Sequence, residues 1–337
     1  MDEKDRQENT YGLDCHGEVD PGTRKTVAVL IPALNEGRNI GLLLDDVFSQ
    51  ELDDSLVLER VIVISDGSTD NTEDVVRERS SRHEMLELIV NPERQGKAVC
   101  INMGKRGLDS DYFVLIDGDV RLNGPRTLDN LLVDIDDDVG MVGGIPVPVE
   151  DRSGLAPMIF LCGDILRDYI RRRLNDGSSI YSAHGRMLAL SRSLYRSIKI
   201  PSLEQGNRVL STDQFLYYSC LSEGLRFALK GNAEVLFRLP ESFKDYLLVT
   251  VRFMYSARNT KAFFNDKRFT NEFYVPLTLK VRAMLHLFRC KPLGAPAWLA
   301  YRLLARAIYL FNRYVRKKEV GAAWEISEST KDAIETP

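Results

Sequence analysis

An alternation constrains this chain more than any other feature. Short runs rich in β-branched and aromatic residues occur at 26–33 (TVAVLIPA), 60–65 (RVIVIS), 86–91 (LELIVN) and 112–116 (YFVLI). Helical patterns at about 37–50, 70–82 and 95–107 separate them. Strands that alternate with helices build βαβ units, because parallel neighbours need a crossover connection that a helix supplies. The expected fold class is therefore α/β, a Rossmann-like and mostly parallel sheet flanked by helices. A fifth strand is read at 139–149, with Pro146 and Pro148 marking its exit or an edge. A helix at 155–174 follows, then a strand at 188–191 and a helix over 213–223 capped by Ser211 or Thr212. Two short strands are expected at 226–230 and 234–238, and from Glu241 to about Lys318 the pattern is helical and basic.

In an open parallel sheet, ligands bind outside the carboxyl ends of the strands. The chemistry-bearing residues of this sequence fall there. The first run leads into Pro32-Ala33-Leu34-Asn35-Glu36 and the second into Ser65-Asp66-Gly67-Ser68-Thr69-Asp70-Asn71-Thr72. The third leads to Arg94-Gln95-Gly96-Lys97 and the fourth to Asp117-Gly118-Asp119. Two carboxylates around a glycine after a buried strand suit a hard divalent cation, which takes one or two protein carboxylates and completes its shell with water and substrate phosphate. A D-G step is also ordinary turn chemistry, so it is the convergence of several strand ends that carries weight. Lys97 and Arg94 flank a glycine at a helix N-terminus, a place where free backbone N–H groups favour anions. Asp66 can accept hydrogen bonds from a base or ribose, while Ser68, Thr69 or Asp70 can cap the next helix.

Other chemistries are excluded by what is missing. Five cysteines lie far apart in no C-x-x-C pair, and four histidines are scattered, which speaks against a disulfide framework and against a zinc site. They suit reduced thiols in a cytoplasmic setting. The sequence lacks G-x-G-x-x-G, as a dinucleotide reductase would not. A nucleotidyltransferase that makes sugar nucleotides would open with a glycine-rich loop, where this chain has PALNEGRN with a single glycine.

PALNE, SDGSTDNT, the QGK turn and DGD, in this order and spacing, resemble the inverting family 2 glycosyltransferases of the nucleotide-diphospho-sugar transferase superfamily. The resemblance covers about 27–253 and implies the GT-A fold. It implies that Pro32, Ala33, Leu34 and Glu36 lie against the base and ribose of a nucleotide-sugar donor. Asp66 then contacts the base, Lys97 stands near base or ribose, and Asp117 with Gly118 lines ribose or metal. Asp119, with Asp117, holds Mg2+ or Mn2+. His184-Gly185-Arg186 resembles the segment beneath the sugar. Ser211-Thr212-Asp213-Gln214 stands where family members carry an acid pair; Thr212 replaces the first acid, leaving Asp213 as catalytic base. Arg252-Phe253 fits the family's Arg-aromatic element over the donor, but Val249 takes the place of its glutamine. That departure implies transfer of a single sugar and not processive synthesis.

The implied reaction moves one sugar, with inversion, from a nucleotide-diphosphate sugar (UDP favoured) to a hydroxyl or phosphate. The alternatives are a nucleotidyltransferase and a non-catalytic membrane-peripheral scaffold with a transferase fold. The expected organisation is a flexible tail at 1–25, a catalytic domain at 26–240 with donor (26–120) and acceptor (121–240) halves, a basic amphipathic region at 241–320, and a C-terminal tail at 321–337.

The net charge of −4 hides an asymmetry, since Lys244 to Lys318 holds 16 Lys/Arg against three acids. Arg282, His286 and Arg289 form one cationic stripe, and Arg302, Arg306, Arg313 and Lys317 another, interleaved with Leu277, Val281, Leu285, Phe288, Trp298 and Leu303. Such helices suit an anionic membrane surface, here assigned to 275–318. The expected location is the cytoplasm, peripheral on the inner face of the membrane, with a lipid-linked acceptor allowed. No nucleic-acid partner is expected, because the body adjoining the basic region is acidic.

Overall fold

A computed structural model describes residues 24–150, 153–201, 211–264, 272–314 and 331–334. The side chains of Arg252, Arg258 and Arg313 lie outside the described residues, as do the expected tail at 1–23 and Lys317.

An eight-stranded sheet organises the chain. Its strands are β1 (Lys25–Ala33), β2 (Leu56–Asp66), β3 (Leu86–Asn91), β4 (Tyr112–Ile116), β5 (Val120–Leu122), β6 (Val139–Pro148), β7 (Met187–Ser191) and β8 (Arg226–Phe237), in the order β3-β2-β1-β4-β7-β6-β8-β5. The first half of the sheet is parallel throughout, β1 pairing with both β2 and β4, and β2 with β3. Beyond β4 the sheet is mixed: β7 is antiparallel to β4 and β6, β8 is parallel to β6, and β5 is antiparallel to β8. The helices of the first half are α1 (Ile40–Phe48), α2 (Thr72–Ser80), α3 (Lys97–Gly104) and α4 (Thr127–Leu132).

The period of two in β1 divides its side chains between the layers. Val27, Val29 and Ile31 join one core cluster with Ile40, Leu43 and Leu44 of α1. Ala28 and Leu30 join another with Cys100 and Ile101 of α3. A strand buried on both faces reads as an unbroken apolar run, which is why these strands stand out in the sequence.

The second half departs from the sequence expectation at three points. The helix expected to reach residue 174 ends earlier, as α5 (Leu155–Arg171), and a 3-10 turn follows at Leu174–Gly177. The six-residue α6 (Arg192–Ser197) follows β7, and α7 (Thr212–Ser222) has Ser211 at its N-cap position, one of the two expected there. The two strands expected at 226–238 are one, because Lys230–Ala233 bulge out of register between Leu229↔Gly143 and Glu234↔Ile145.

Three helices close the chain: α8 (Phe243–Phe263), α9 (Leu277–Cys290) and α10 (Gly294–Tyr314). They pack on α5 through a third core of Phe160, Tyr246, Leu287, Trp298 and Tyr301, so Trp298 is a core residue and not part of an exposed face. On α9, Leu277, Val281, Leu285 and Phe288 recur at helical spacing yet are exposed, Leu277 at 71% and Leu285 at 61%. Among the described residues no helix is long and apolar enough to cross a membrane. Residues 331–334 lie against the carboxyl end of β1, although they were expected to belong to a tail.

Candidate active site

The tips of β1 and β2 are stitched together by the side chains of the SDGSTDNT segment. Asn35 N donates to Ser68 Oγ (3.1 Å), Glu36 N to Thr72 Oγ1 (2.8 Å) and Gly37 N to Asp70 Oδ2 (3.0 Å). Asn35 adopts a positive φ of 55° and its side chain accepts from Thr69 N at 2.7 Å. The helix cap falls one place later than expected, at Asn71, while Asp70 accepts from Thr72 N at 3.0 Å. Polar side chains therefore fix the turn that presents Pro32, Ala33, Leu34 and Glu36.

Asp66 joins the β2 tip to the loop before α3. It is 5% exposed, and its Oδ1 accepts from Gln95 N (2.8 Å) and Asn91 Nδ2 (3.0 Å) while Oδ2 accepts from Gly96 N (2.7 Å). Its partners here belong to the protein. Gly67 (φ 75°) lets the two loops touch: a Cβ there would lie 2.7 Å from Arg94 N.

The β4 tip completes the crevice. A Cβ on Gly118 would lie 2.9 Å from Glu36 Cγ and 3.4 Å from Pro32 O, so β4 and β1 meet there. Lys97, the first residue of α3, ion-pairs with Asp117 Oδ1 and donates to Gly185 O at 3.0 Å. A Cβ on Gly185 would lie 2.8 Å from Lys97 Nζ, 3.6 Å from Asp117 Oδ2 and 4.0 Å from Asp213 Cβ. Gly185 is thus the point at which β4, α3 and α7 converge. Asp213 lies in the first turn of α7, its Oδ1 accepting from Gln214 N (2.9 Å) and from Ser211 Oγ. Arg186 stacks on Phe237 at 3.7 Å, and its backbone carbonyl accepts from Asp117 N (3.0 Å).

The carboxylates at this crevice carry an unresolved charge. Burial raises Glu36 to about 7, reinforced by Asp119 and opposed by Lys331. Burial and then Asp117 raise Asp119, against the pull of Arg186, Lys331 and Lys97. Among the described residues no group of three or more His, Cys, Asp or Glu is placed to hold a metal ion. The donor set fits a hard divalent cation of another kind, one held by one or two carboxylates and by phosphate oxygens from a ligand. Crowded carboxylates of raised pKa are what such a cation would relieve.

Sequence reasoning missed three groups here. Lys331 bonds the carbonyls of Leu34 and Asn35 and the Glu36 carboxylate, and no motif announces it. Asn39, with no exposed surface, links Glu36 to Lys331 O. Arg167 and Arg171, one turn apart on α5, stand close enough to Arg186 for the three cations to repel one another. Burial pulls Arg171 down to about 10. Their spacing from Asp164 and Asp168 reads in the sequence as a routine helical ion-pair ladder. His184, also buried, bonds Gly144 O at 2.7 Å.

A 93-residue stretch is 33% identical to Glycosyltransferase AglE of Haloferax volcanii, covering 28% of this chain and 30% of that one. A 94-residue stretch is 26% identical to dolichyl-phosphate beta-glucosyltransferase ALG5C of Trichomonas vaginalis, covering 27% and 28%. The chain thus spans about a third of the length of these curated relatives. The fold is similar to that of the mannosyltransferase PcManGT from Pyrobaculum calidifontis, solved with GDP-Man and Mn2+ (TM-score 0.55, 21% identity, 89% of this chain and 83% of that one). The architecture is the GT-A fold. Residues 28–199 match the model of glycosyl transferase family 2, which is half of the sequence, and the chain belongs to that family of transferases.

Proposed function

We propose that this protein transfers one sugar from a nucleotide-diphosphate sugar, with inversion, to an anionic, lipid-linked acceptor. The observation that carries the reading is the convergence at Gly185, where Lys97, Asp117 and Asp213 come together beside the Glu36–Gly118 contact. Donor and acceptor machinery then share one crevice. Pro32, Ala33, Leu34 and Glu36 receive base and ribose, with UDP the favoured nucleotide. Asp66 and Lys97 shape the same wall, one through the Gln95–Gly96 loop and the other through Asp117. Asp119 and Asp117 would hold Mg2+ or Mn2+, which would supply positive charge for the departing diphosphate. Arg186 lies in the field of both acids and adds a fixed guanidinium to the same face. Arg252 is assigned to the donor on the resemblance alone.

Asp213 faces the acceptor side. With a hydroxyl acceptor it takes the proton as the oxygen attacks the anomeric carbon. A phosphate acceptor attacks as an anion and has no such proton to lose. Three neighbouring guanidinium groups, Arg167, Arg171 and Arg186, of which Arg171 is buried, favour the phosphate case, because mutually repelling cations are stabilised by an anion. The dolichyl-phosphate relative is consistent with it. The exposed Leu277–Val281–Leu285–Phe288 stripe beside exposed Arg282, His286 and Arg289 suits the interface of an anionic membrane, where such an acceptor would reside.

The test has two arms. A thermal-shift screen of UDP, GDP, dTDP and CMP, with and without Mn2+, should give a metal-dependent rise for one base, abolished by Asp119→Ala. Transfer from the matching sugar nucleotide to a polyprenyl phosphate should survive Asp213→Asn far better than transfer to a polyprenol. If no nucleotide binds in either condition, the transferase reading fails and the scaffold reading takes its place.

A further inference from the structure

Residues 331–334 are each held by a separate contact. Asn39 Nδ2 donates to Lys331 O (2.8 Å), and Arg38 Nη1 pairs with Asp332 Oδ1 (2.7 Å). Arg238 Nη2 donates to Ala333 O, and Arg121 Nη1 donates to Ile334 O at 2.9 Å. Arg121 is itself fixed by two bonds to Asp46, and the Ile334 side chain is 1% exposed. Four consecutive anchors make this a built contact, set by four positions of the catalytic body.

The contact delivers one side chain to a specific place. Lys331 Nζ reaches Leu34 O, Asn35 O (3.3 Å) and Glu36 Oε1 (2.6 Å). An ammonium group has three N–H donors, and here three acceptors of the β1 tip answer them. Those acceptors belong to the turn assigned above to base and ribose, so the ammonium occupies the polar edge that the nucleoside would use. Lys331 also lies within the electrostatic reach of Asp119 and Asp70. It gives the carboxylates of the crevice a counter-charge supplied by the chain itself.

We infer that segment 331–334 is an internal competitor for the donor site, with Lys331 holding the β1 turn and Glu36 until a nucleotide and its cation displace it. The inference rests on the donor-site reading above and adds a regulatory contact to it. Whatever loosens the segment raises the apparent donor affinity, since binding is weakened by the fraction of molecules in the closed state.

Calorimetric titration of UDP and GDP, each with Mn2+, into the full chain and into Lys331→Ala and Asp332→Ala variants tests this. Both variants should bind the preferred nucleotide more tightly, by about tenfold if about a tenth of the wild-type molecules are open. A second readout is independent of affinity. In an Ile334→Cys variant, alkylation at position 334, followed by peptide mass, should accelerate as nucleotide and Mn2+ are added. Unchanged or weaker binding by Lys331→Ala, or an alkylation rate indifferent to nucleotide, overturns the inference while leaving the donor site intact. Failure of the wild type and both variants to bind any nucleotide removes the donor-site reading and this one with it.

Discussion

Lys97 reaches from the start of α3 to Asp117 at the end of β4, and Gly185 lies against that ion pair with room for a hydrogen atom but not for a methyl group. The obstacle to a side chain is Lys97 Nζ, the far end of a flexible chain, which can swing aside. Gly185→Ala should therefore leave stability within about 1 kcal/mol of wild type. It should still lower transfer about 100-fold, since displacing a positioning group by an ångström costs that much. Urea unfolding and initial rates measured side by side check the split. A variant with normal rates would mean that the Lys97–Asp117 pair has no part in positioning.

Asp66 offers a sharper test of geometry, because two backbone amides approach different oxygens of the one carboxylate: Gln95 N meets Oδ1 and Gly96 N meets Oδ2. Asparagine has nearly the same shape but only one carbonyl oxygen, so its NH2 would confront a backbone N–H. Asp66→Asn should cost about 1–3 kcal/mol, the penalty of a buried donor left unsatisfied. Gly67→Ala should cost a similar amount, about 1–3 kcal/mol, through its left-handed backbone and through a Cβ 2.7 Å from the Arg94 amide nitrogen. Both shifts are read as lower urea midpoints. An Asp66→Asn midpoint equal to wild type would show that the loop does not depend on the carboxylate.

The first half of this fold was legible because β1, β4 and the second half of β2 are buried on both faces and each strand ends in polar residues with a local task. Val27–Ile31 and Tyr112–Ile116 leave no other pattern to compete. What stayed hidden had short or long range as its cause. β5 has three residues and α4 and α6 have six each, too few for a period to appear. Gly231-Asn232 reads as a turn, whereas the structure makes it the crest of a bulge within β8. Lys331 meets Glu36 from 295 positions away, and nothing in K-D-A-I marks it. The site residues of the strand tips were readable as a set; the arginines of α5 were not, since their ion pairs within the helix mask their shared approach to Arg186.

Asp119 should behave as a residue held against its own preference. Burial and the nearby Asp117 carboxylate raise it, so its charge weakens the folded protein when no cation is present. Asp119→Asn should raise the melting temperature of the metal-free protein while abolishing the additional rise that wild type shows with Mn2+ and nucleotide. Scanning calorimetry with and without Mn2+ checks both halves. A lower melting temperature for the metal-free variant would contradict this account of the crevice.

His184 sets the pH dependence that can be isolated most cleanly. Its Nε2–H donates to Gly144 O at 2.7 Å, and burial followed by Arg171 and Arg186 holds its pKa well below 6.5, so the folded ring is neutral. The unfolded chain, with an ordinary histidine, takes up a proton near pH 6.5 that the folded chain refuses. The stability His184 confers is therefore complete above pH 6.5 and declines as the pH falls below it, by at most about 1.4 kcal/mol per unit. Glu36 acts in the opposite sense: raised from 4.5 to about 7, it favours folding below 4.5 and loses that contribution as the pH rises through 7. The two nearly overlap, so the wild-type profile alone is ambiguous. Subtracting the profile of His184→Gln, which retains an N–H donor for Gly144 but cannot titrate, removes every other group. Urea midpoints at pH 7.5, 6.5 and 5.5 should show a wild-type advantage that shrinks steadily over the last interval. A constant difference across all three would mean that His184 takes up its proton at the same pH folded and unfolded, and that the arginine cluster beside it is less positive than its geometry implies.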